Sequence, residues 1–228
     1  MLRLPRLPLR LVLLGLLSGL AVEAASADAP APAPAQAKAR TLAALGKPAP
    51  AFKLLDTEGK EVSLASLRGQ VVVLEWFNPD CPFIKHAHSK GPLADMAKQK
   101  ANDKLTWLTI NSSAAGKQGN GAERNTKAKQ EYGIVNRVLL DESGQVGHAY
   151  GAEKTPHVYV IDAKGVLRYR GGLDNAPMGV VDDERPRSTS TKGALEPYLS
   201  NAIDDVVQKR PVRLAETPAY GCTVKYAD

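Results

Sequence analysis

Cysteine is scarce in this sequence. Among its 228 residues only Cys81 and Cys222 are cysteines, and they lie far apart in the chain. No Cys-x-x-Cys motif is present, so dithiol exchange within one local motif is excluded. Any thiol that pairs with Cys81 must therefore be Cys222 or belong to another molecule.

Other features are missing as well. The sequence has no internal repeat and no basic run with interleaved aromatic residues, which make up only 5% of the chain. The formal net charge of +6 is spread along the sequence, so nucleic acid is not expected as a partner. Residues 11–22 form the one long apolar run.

The N-terminal segment has the pattern of a secretory signal peptide. Arg3, Arg6 and Arg10 precede the apolar run, and small, alanine-rich residues follow it. We predict cleavage of residues 1–27, since the run is short for a membrane anchor, which is the alternative. Residues 28–45, rich in alanine and proline, are predicted to be a linker, and residues 46–228 to form one domain. The mature protein is expected to be secreted, periplasmic and without a membrane partner.

The sequence indicates a reactive thiol at Cys81. Residues 71–74 are aliphatic and typical of a strand that is covered on both faces. The Asn-Pro-Asp sequence of residues 78–80 favours a turn, and Pro82 suits the first turn of a helix. A cysteine at a helix N-terminus experiences the positive end of the helix dipole, which favours the thiolate. The alternative is a buried cysteine that acts only as a small apolar residue.

Two basic side chains follow Cys81 at helical spacing. Lys85 and His88 come four and seven residues later, so one continuous helix would place both on the face of Cys81. A cation there would further favour the thiolate; the alternative is that both side chains are solvated. Cys81, His86, His88 and His157 also leave open a metal-binding module, although their spacing is not diagnostic.

Predicted strands and helices alternate along the rest of the chain, which indicates an α/β fold. A β-hairpin is predicted in residues 46–69, and strands near residues 104–111, 138–140, 157–161 and 166–170. Helices are predicted from Pro82 to about residue 99, with an interruption at Gly91 and Pro92, and at residues 122–132, 146–150 and 194–209. Pro197 falls in the first turn of the last helix, where proline is tolerated.

The segment Glu75-Trp76-Phe77-Asn78-Pro79-Asp80-Cys81-Pro82-Phe83 resembles the cysteine segment of redoxins, the alkyl hydroperoxide reductase/thiol-specific antioxidant-like branch of the thioredoxin-fold proteins. Residues 69–73, 155–162 and 220–226 agree, and the resemblance covers residues 46–228. Together these segments are typical of a secreted, peroxiredoxin-like subgroup. It implies a thioredoxin-like fold, in which a central mixed sheet is flanked by helices and extended by an N-terminal β-hairpin. It also implies a thiol-dependent oxidoreductase that acts through Cys81 without a cofactor. Thr155-Pro156 matches the position where the proline peptide bond is cis and faces the active cysteine.

Two departures weaken the peroxidase activity that the resemblance implies. Asn78 stands where peroxiredoxins carry Thr or Ser, and no arginine lies beside Pro156. We therefore predict thiol-disulfide exchange or weak peroxidase activity, with a thiol- or disulfide-bearing protein or a small thiol as partner.

Cys222 is the possible resolving cysteine, and we predict a reversible Cys81–Cys222 disulfide in an oxidising compartment. A non-catalytic binding module, stapled by a permanent disulfide, is the alternative.

Overall fold

A seven-stranded mixed sheet forms the centre of the computed structural model, which describes residues 42–176 and 194–228. The strand order is β2-β1-β5-β4-β3-β7-β8, and β6 and β9 form a separate two-stranded sheet. The strands are β1 (Lys53–Asp56), β2 (Glu61–Ser63), β3 (Val71–Trp76), β4 (Leu105–Asn111), β5 (Arg137–Leu140), β6 (Lys154–Thr155), β7 (His157–Ile161), β8 (Leu167–Gly171) and β9 (Cys222–Thr223). The α-helices are α1 (Pro82–Ser89), α2 (Met96–Lys100), α3 (Ala122–Glu131), α4 (Gln145–Tyr150) and α5 (Tyr198–Val207).

Strand β3 lies inside the sheet, parallel to β4 and antiparallel to β7. Every residue of β3 is buried, because both faces of the strand are covered. Leu74 and Trp76 belong to the apolar core on one face, whereas Val73 packs on the other face with Leu199 and Ile203 of α5. The aliphatic run at residues 71–74 thus forms the doubly covered strand that its composition predicts, and this strand leads directly to Cys81.

The N-terminal hairpin is present as β1 and β2, which pair antiparallel. The chain after Cys81 forms two short helices, α1 and α2, as the interruption at Gly91 and Pro92 predicts. A Cβ on Gly91 would lie 2.8 Å from the Cα of Ala87, so the chain turns back tightly where α1 ends.

Two boundaries differ from those that the sequence predicts. Helix α5 begins at Tyr198 rather than at residue 194, because Pro197 has a non-helical backbone and precedes the helix instead of lying in its first turn. Ala43 is buried in the core, and Leu45 packs against it. The part of the chain that packs on the domain therefore extends N-terminal to residue 46, into the segment predicted to be a linker.

Three predicted features lie wholly or partly outside the described residues. They are the signal peptide of residues 1–27, most of the linker, and the polar loop that follows β8. Within residues 42–176 and 194–228, no helix has the length and apolar character needed to cross a membrane.

Candidate active site

Cys81 lies between strand β3 and helix α1, where it is the N-cap residue of the helix. Its carbonyl oxygen accepts the Lys85 backbone N–H at 3.0 Å, and Pro82 occupies the first helical position, where proline costs no helical hydrogen bond. The Cys81 side chain is completely buried. The predicted order of strand, turn, cysteine, proline and helix is therefore present in the structure.

The turn before Cys81 is fixed by a buried amide. Asn78 accepts the Asp80 backbone N–H at 2.9 Å and donates to the carbonyl oxygen of Gln118 at 3.0 Å. The side chain that replaces the Thr or Ser of peroxiredoxins thus ties the turn to the loop after β4. Both its carbonyl and its amino group are occupied by this structural task.

Helix α3 and its C-cap residue Tyr132 supply two contacts to the same turn that the sequence does not predict. The Arg124 side chain forms an ion pair with Asp80 at 2.7 Å, and the Tyr132 hydroxyl donates to the carbonyl oxygen of Pro79 at 2.7 Å. Charged and aromatic residues on a polar helix carry no sequence signal for such a contact. The guanidinium of Arg124 is held by the turn that precedes Cys81.

Strand β9 brings Cys222 to Cys81. It pairs antiparallel with β6, so that Cys222 lies opposite Thr155. The Cys81 sulfur lies 3.2 Å from the carbonyl oxygen of Thr155. The Thr155–Pro156 peptide bond is cis, as the resemblance implies. Gly221 permits the close approach of the strands, because a Cβ there would lie 2.2 Å from the Thr155 carbonyl oxygen. Four of the predicted site residues, Cys81, Cys222, Thr155 and Pro156, are therefore neighbours.

Both thiols are in the free form. The contact between them shifts their pKa values in opposite directions. The hydrogen bond from Cys222 lowers the pKa of Cys81 to about 6, against the opposing effect of burial. The Thr155 side chain and the backbone N–H groups of Ile84 and Cys222 lower this pKa further. The same hydrogen bond, together with burial, raises the pKa of Cys222. Cys81 therefore carries the negative charge of the pair, and Cys222 keeps the proton.

Lys85 and His88 do not surround Cys81 as their helical spacing suggests. The Lys85 side chain is exposed. The His88 ring is buried on the sheet side of α1, where its Nε2 lies 2.6 Å from Glu75 Oε1. This corrects both the expected contact with Cys81 and the alternative that both side chains are solvated. The cause is Glu75, a carboxylate in an otherwise apolar strand, which requires a buried partner.

Glu75 is the centre of a buried polar cluster. Besides His88, its carboxylate accepts the Trp107 indole N–H at 3.1 Å and the Thr109 hydroxyl at 3.5 Å. The cluster connects β3, β4 and α1 beneath the cysteine turn. Its one sequence signal is a single acidic residue that follows a run of aliphatic residues.

The structure does not assemble the ligands of the alternative metal site. Within the described ranges, no group of three or more His, Cys, Asp or Glu side chains is placed to hold an ion. His88 is engaged by Glu75, and Nδ1 of His157 lies 3.2 Å from the Tyr159 hydroxyl. Burial, together with the charge of Arg170, lowers the pKa of His157 to about 4, so that ring is neutral at physiological pH.

Comparisons with known proteins indicate a family for the chain. The family model described as Redoxin matches residues 44–183. A thioredoxin peroxidase of Echinococcus granulosus is 28% identical over 165 residues, which is 64% of this chain and 79% of that protein. The thiol-disulfide oxidoreductase ResA of Geobacillus thermodenitrificans is 27% identical over 130 residues, 57% of this chain and 70% of that protein.

A solved structure gives the same result for the fold. A hypothetical protein of Sinorhizobium meliloti 1021 superposes with a TM-score of 0.66 at 29% identity, covering 81% of this chain and 95% of that one. The central mixed sheet with flanking helices confirms the predicted thioredoxin-like fold.

Proposed function

The chain belongs to the Redoxin family, and from that premise we propose that it is a thiol-disulfide oxidoreductase in which Cys81 attacks and Cys222 resolves. The observation that carries the proposal is the contact between the two thiols, which lowers the pKa of Cys81 to about 6. At neutral pH Cys81 is then mostly thiolate, the form that attacks a disulfide. Relatives named as a thiol-disulfide oxidoreductase and as a thiol:disulfide interchange protein support the same chemistry.

The reaction needs two exchanges. In the first, the Cys81 thiolate attacks one sulfur of the partner's disulfide; a bond forms between Cys81 and that sulfur, and the partner's other sulfur leaves as a thiolate. In the second, Cys222 loses its proton and attacks Cys81, which releases the partner's remaining sulfur as a thiolate. The partner is reduced to a dithiol, and the protein is oxidised to the Cys81–Cys222 disulfide. The reverse sequence would oxidise a dithiol partner.

Peroxide reduction is the second candidate, because relatives named as a thioredoxin peroxidase and as peroxiredoxin-2 also match. The site favours exchange over efficient peroxide reduction. Asn78 uses its amide to hold the turn, and Arg124 is paired with Asp80. A thiolate at Cys81 would still react slowly with peroxide without either group.

The redox potential of the Cys81–Cys222 couple separates a catalyst from a stapled binding module. We expect a value between about −120 and −270 mV, the range of proteins that exchange disulfides, whereas a value below about −300 mV would indicate a permanent structural bond. The potential is measured by equilibrating the protein in graded thiol/disulfide buffers and counting free thiols. The Cys81→Ser variant, which has only Cys222 left, is the matched control.

The roles of the two cysteines can be separated with oxidised glutathione as the probe. Cys222→Ser should accumulate a mixed disulfide between glutathione and Cys81, since the resolving thiol is gone. Cys81→Ser should accumulate much less: the contact with Cys81 that raises the pKa of Cys222 is gone, but burial of Cys222, the next cause, still raises that pKa. Equal accumulation in both variants, measured by intact mass, would contradict the assignment of Cys81 as the attacking thiol.

We further propose that this chemistry takes place outside the cytoplasm, in the periplasm. The support is the Arg-flanked apolar run of residues 11–22 and the alanine-rich segment after it. Intact-mass measurement of the exported protein tests this: the mature chain should lack residues 1–27. A mature chain that still begins at Met1 would refute the proposal.

A further inference from the structure

Cys81 cannot be reached in this structure. Its side chain is 0% exposed, whereas a thiolate that attacks a disulfide needs open space in line with the bond that breaks. Cys81 packs in a cluster with Phe77 and Ile84, against which Cys222 also packs. At least one of these covering groups must therefore move before an external disulfide can react.

The segment of residues 220–226, which we call the Cys222 strap, is the cover that lies outside both the seven-stranded sheet and the helices. Phe77 follows the central strand β3, and Ile84 lies within α1. The strap, in contrast, belongs to a two-stranded sheet whose β6–β9 register comprises two residue pairs. Its backbone is also held by hydrogen bonds from the Val224 N–H to the Glu153 carbonyl oxygen at 3.0 Å and from the Ala114 N–H to the Lys225 carbonyl oxygen at 2.8 Å. A segment held by such short local contacts opens at a lower free energy than a strand or helix of the core.

Tyr226 fastens one end of the strap. Its hydroxyl donates to the carbonyl oxygen of Ala152 at 2.7 Å, and its ring stacks on His148 with the ring centroids 4.0 Å apart. Two glycines make room for the ring. A Cβ on Gly147 would lie 2.3 Å from the Tyr226 hydroxyl oxygen, and one on Gly144 would lie 2.7 Å from the ring. The fit of Tyr226 thus depends on residues that have no side chain.

The other end of the strap is held near helix α1. The Tyr220 hydroxyl donates to Asp174 at 3.0 Å, and its ring lies beside Phe83 with centroids 6.4 Å apart. Cys222 therefore lies between two tyrosine attachments and packs against the cluster that contains Cys81.

We propose that the Cys222 strap is a gate over Cys81, and that release of Tyr226 from its glycine-lined slot opens it to a disulfide-bearing partner. The partner's identity rests on the proposed function, whereas the gate itself does not. The position of the gate changes both the accessibility and the pKa of the Cys81 thiol. When it is closed, Cys81 is an acidic thiol without access; when it is open, Cys81 is accessible but has lost the hydrogen bond from Cys222. The thiolate of the open form is the stronger nucleophile, because intrinsic nucleophilicity rises with pKa.

The gate is tested by the rate at which iodoacetamide alkylates Cys81 in the reduced, full-length protein. The alkylated residue is identified by peptide mass. The reaction is run near pH 9, where a substantial fraction of Cys81 is thiolate even in the open form, so that access dominates the rate. Tyr226→Ala removes the attachment, and Tyr226→Phe is the matched control that keeps the ring in its slot.

We expect Tyr226→Ala to label at Cys81 roughly tenfold faster than the wild type, and Tyr226→Phe to stay within about threefold of it, because a larger open population raises the rate in proportion. Gly147→Ala is an independent variant: its Cβ collides with the Tyr226 hydroxyl, while alanine favours the helix that it joins. It should also accelerate labelling. Thermal unfolding followed by circular dichroism checks that each variant is folded.

Equal labelling rates in the wild type, Tyr226→Ala and Gly147→Ala would overturn the gate. So would a wild-type rate equal to that of the denatured chain, since Cys81 would then be freely accessible. Labelling requires no catalytic turnover, so the gate and the proposed oxidoreductase function can be refuted independently. Accelerated labelling without any disulfide reduction would refute the proposed function and leave the gate standing.

Discussion

Replacing Cys222 should make Cys81 a weaker acid. The hydrogen bond from Cys222 is the largest contribution that lowers the pKa of Cys81 to about 6. A hydrogen bond to a charged group contributes about 1.5–3 kcal/mol, which corresponds to about 1–2 pKa units at about 1.36 kcal/mol per unit. In Cys222→Ala the pKa of Cys81 should therefore rise to about 7–8. The thiolate fraction at pH 7 would fall from about nine-tenths to between about one-half and one-tenth.

The assay is the pH dependence of the thiolate signal. In Cys222→Ala only one thiol remains, so the ultraviolet absorbance of the thiolate reports Cys81 alone. In the wild type the midpoint is obtained from the alkylation rate of Cys81 against pH. Cys222→Ser is the matched control, because its hydroxyl can still donate a hydrogen bond, and its midpoint should lie between the other two. A Cys222→Ala midpoint that stays at about 6 would refute the role of Cys222 and assign the shift to the helix N-terminus.

Three further predictions concern buried polar groups, each measured by chemical denaturation at a fixed redox state. Glu75→Gln or His88→Leu alone should destabilise the protein by about 3–5 kcal/mol, since one buried partner is left uncompensated, and the double variant should cost less than the sum; additive losses would contradict the pairing. His157 binds a proton in the unfolded chain near pH 6.5 but in the folded protein only near pH 4, so stability should fall by up to about 3 kcal/mol as the pH drops through that window, and His157→Gln should remove this slope. Tyr150→Phe should cost about 1–3 kcal/mol by leaving the Pro50 carbonyl, bonded at 2.8 Å, without its donor; an unchanged stability would mean that water replaces the hydroxyl.

The elements around Cys81 could be predicted because local patterns determine them. The aliphatic run of β3 and the proline after Cys81 identify a strand and a helix start without knowledge of the rest of the fold. The sequence predicts strand β7 with the bounds that it has in the structure, because a run rich in β-branched and aromatic residues follows a proline there. The last helix was predicted too long, since apolar spacing at Leu195 continues the helical pattern, although that side chain is exposed.

The interior of the site could not be predicted in the same way. His88 has the spacing that would place it near Cys81, but spacing describes only its own helix. Packing decides which side of α1 faces the sheet. The carboxylate of Glu75 lies on that side and binds His88. Strand β9 has only two residues, too few for any periodic pattern. Its pairing with β6 depends on the approach of two segments that are distant in sequence.

The position of β9 in the chain also determines the order in which the parts of the site are synthesised. It follows all seven strands of the main sheet, and a chain made from its N-terminus presents those strands before it presents Cys222. The sheet and α1 can assemble first, with Cys81 in place but uncovered. A young molecule would thus pass through a stage in which its thiol is exposed to the oxidants and thiols around it. Covering of that thiol is then one of the last steps by which the molecule matures.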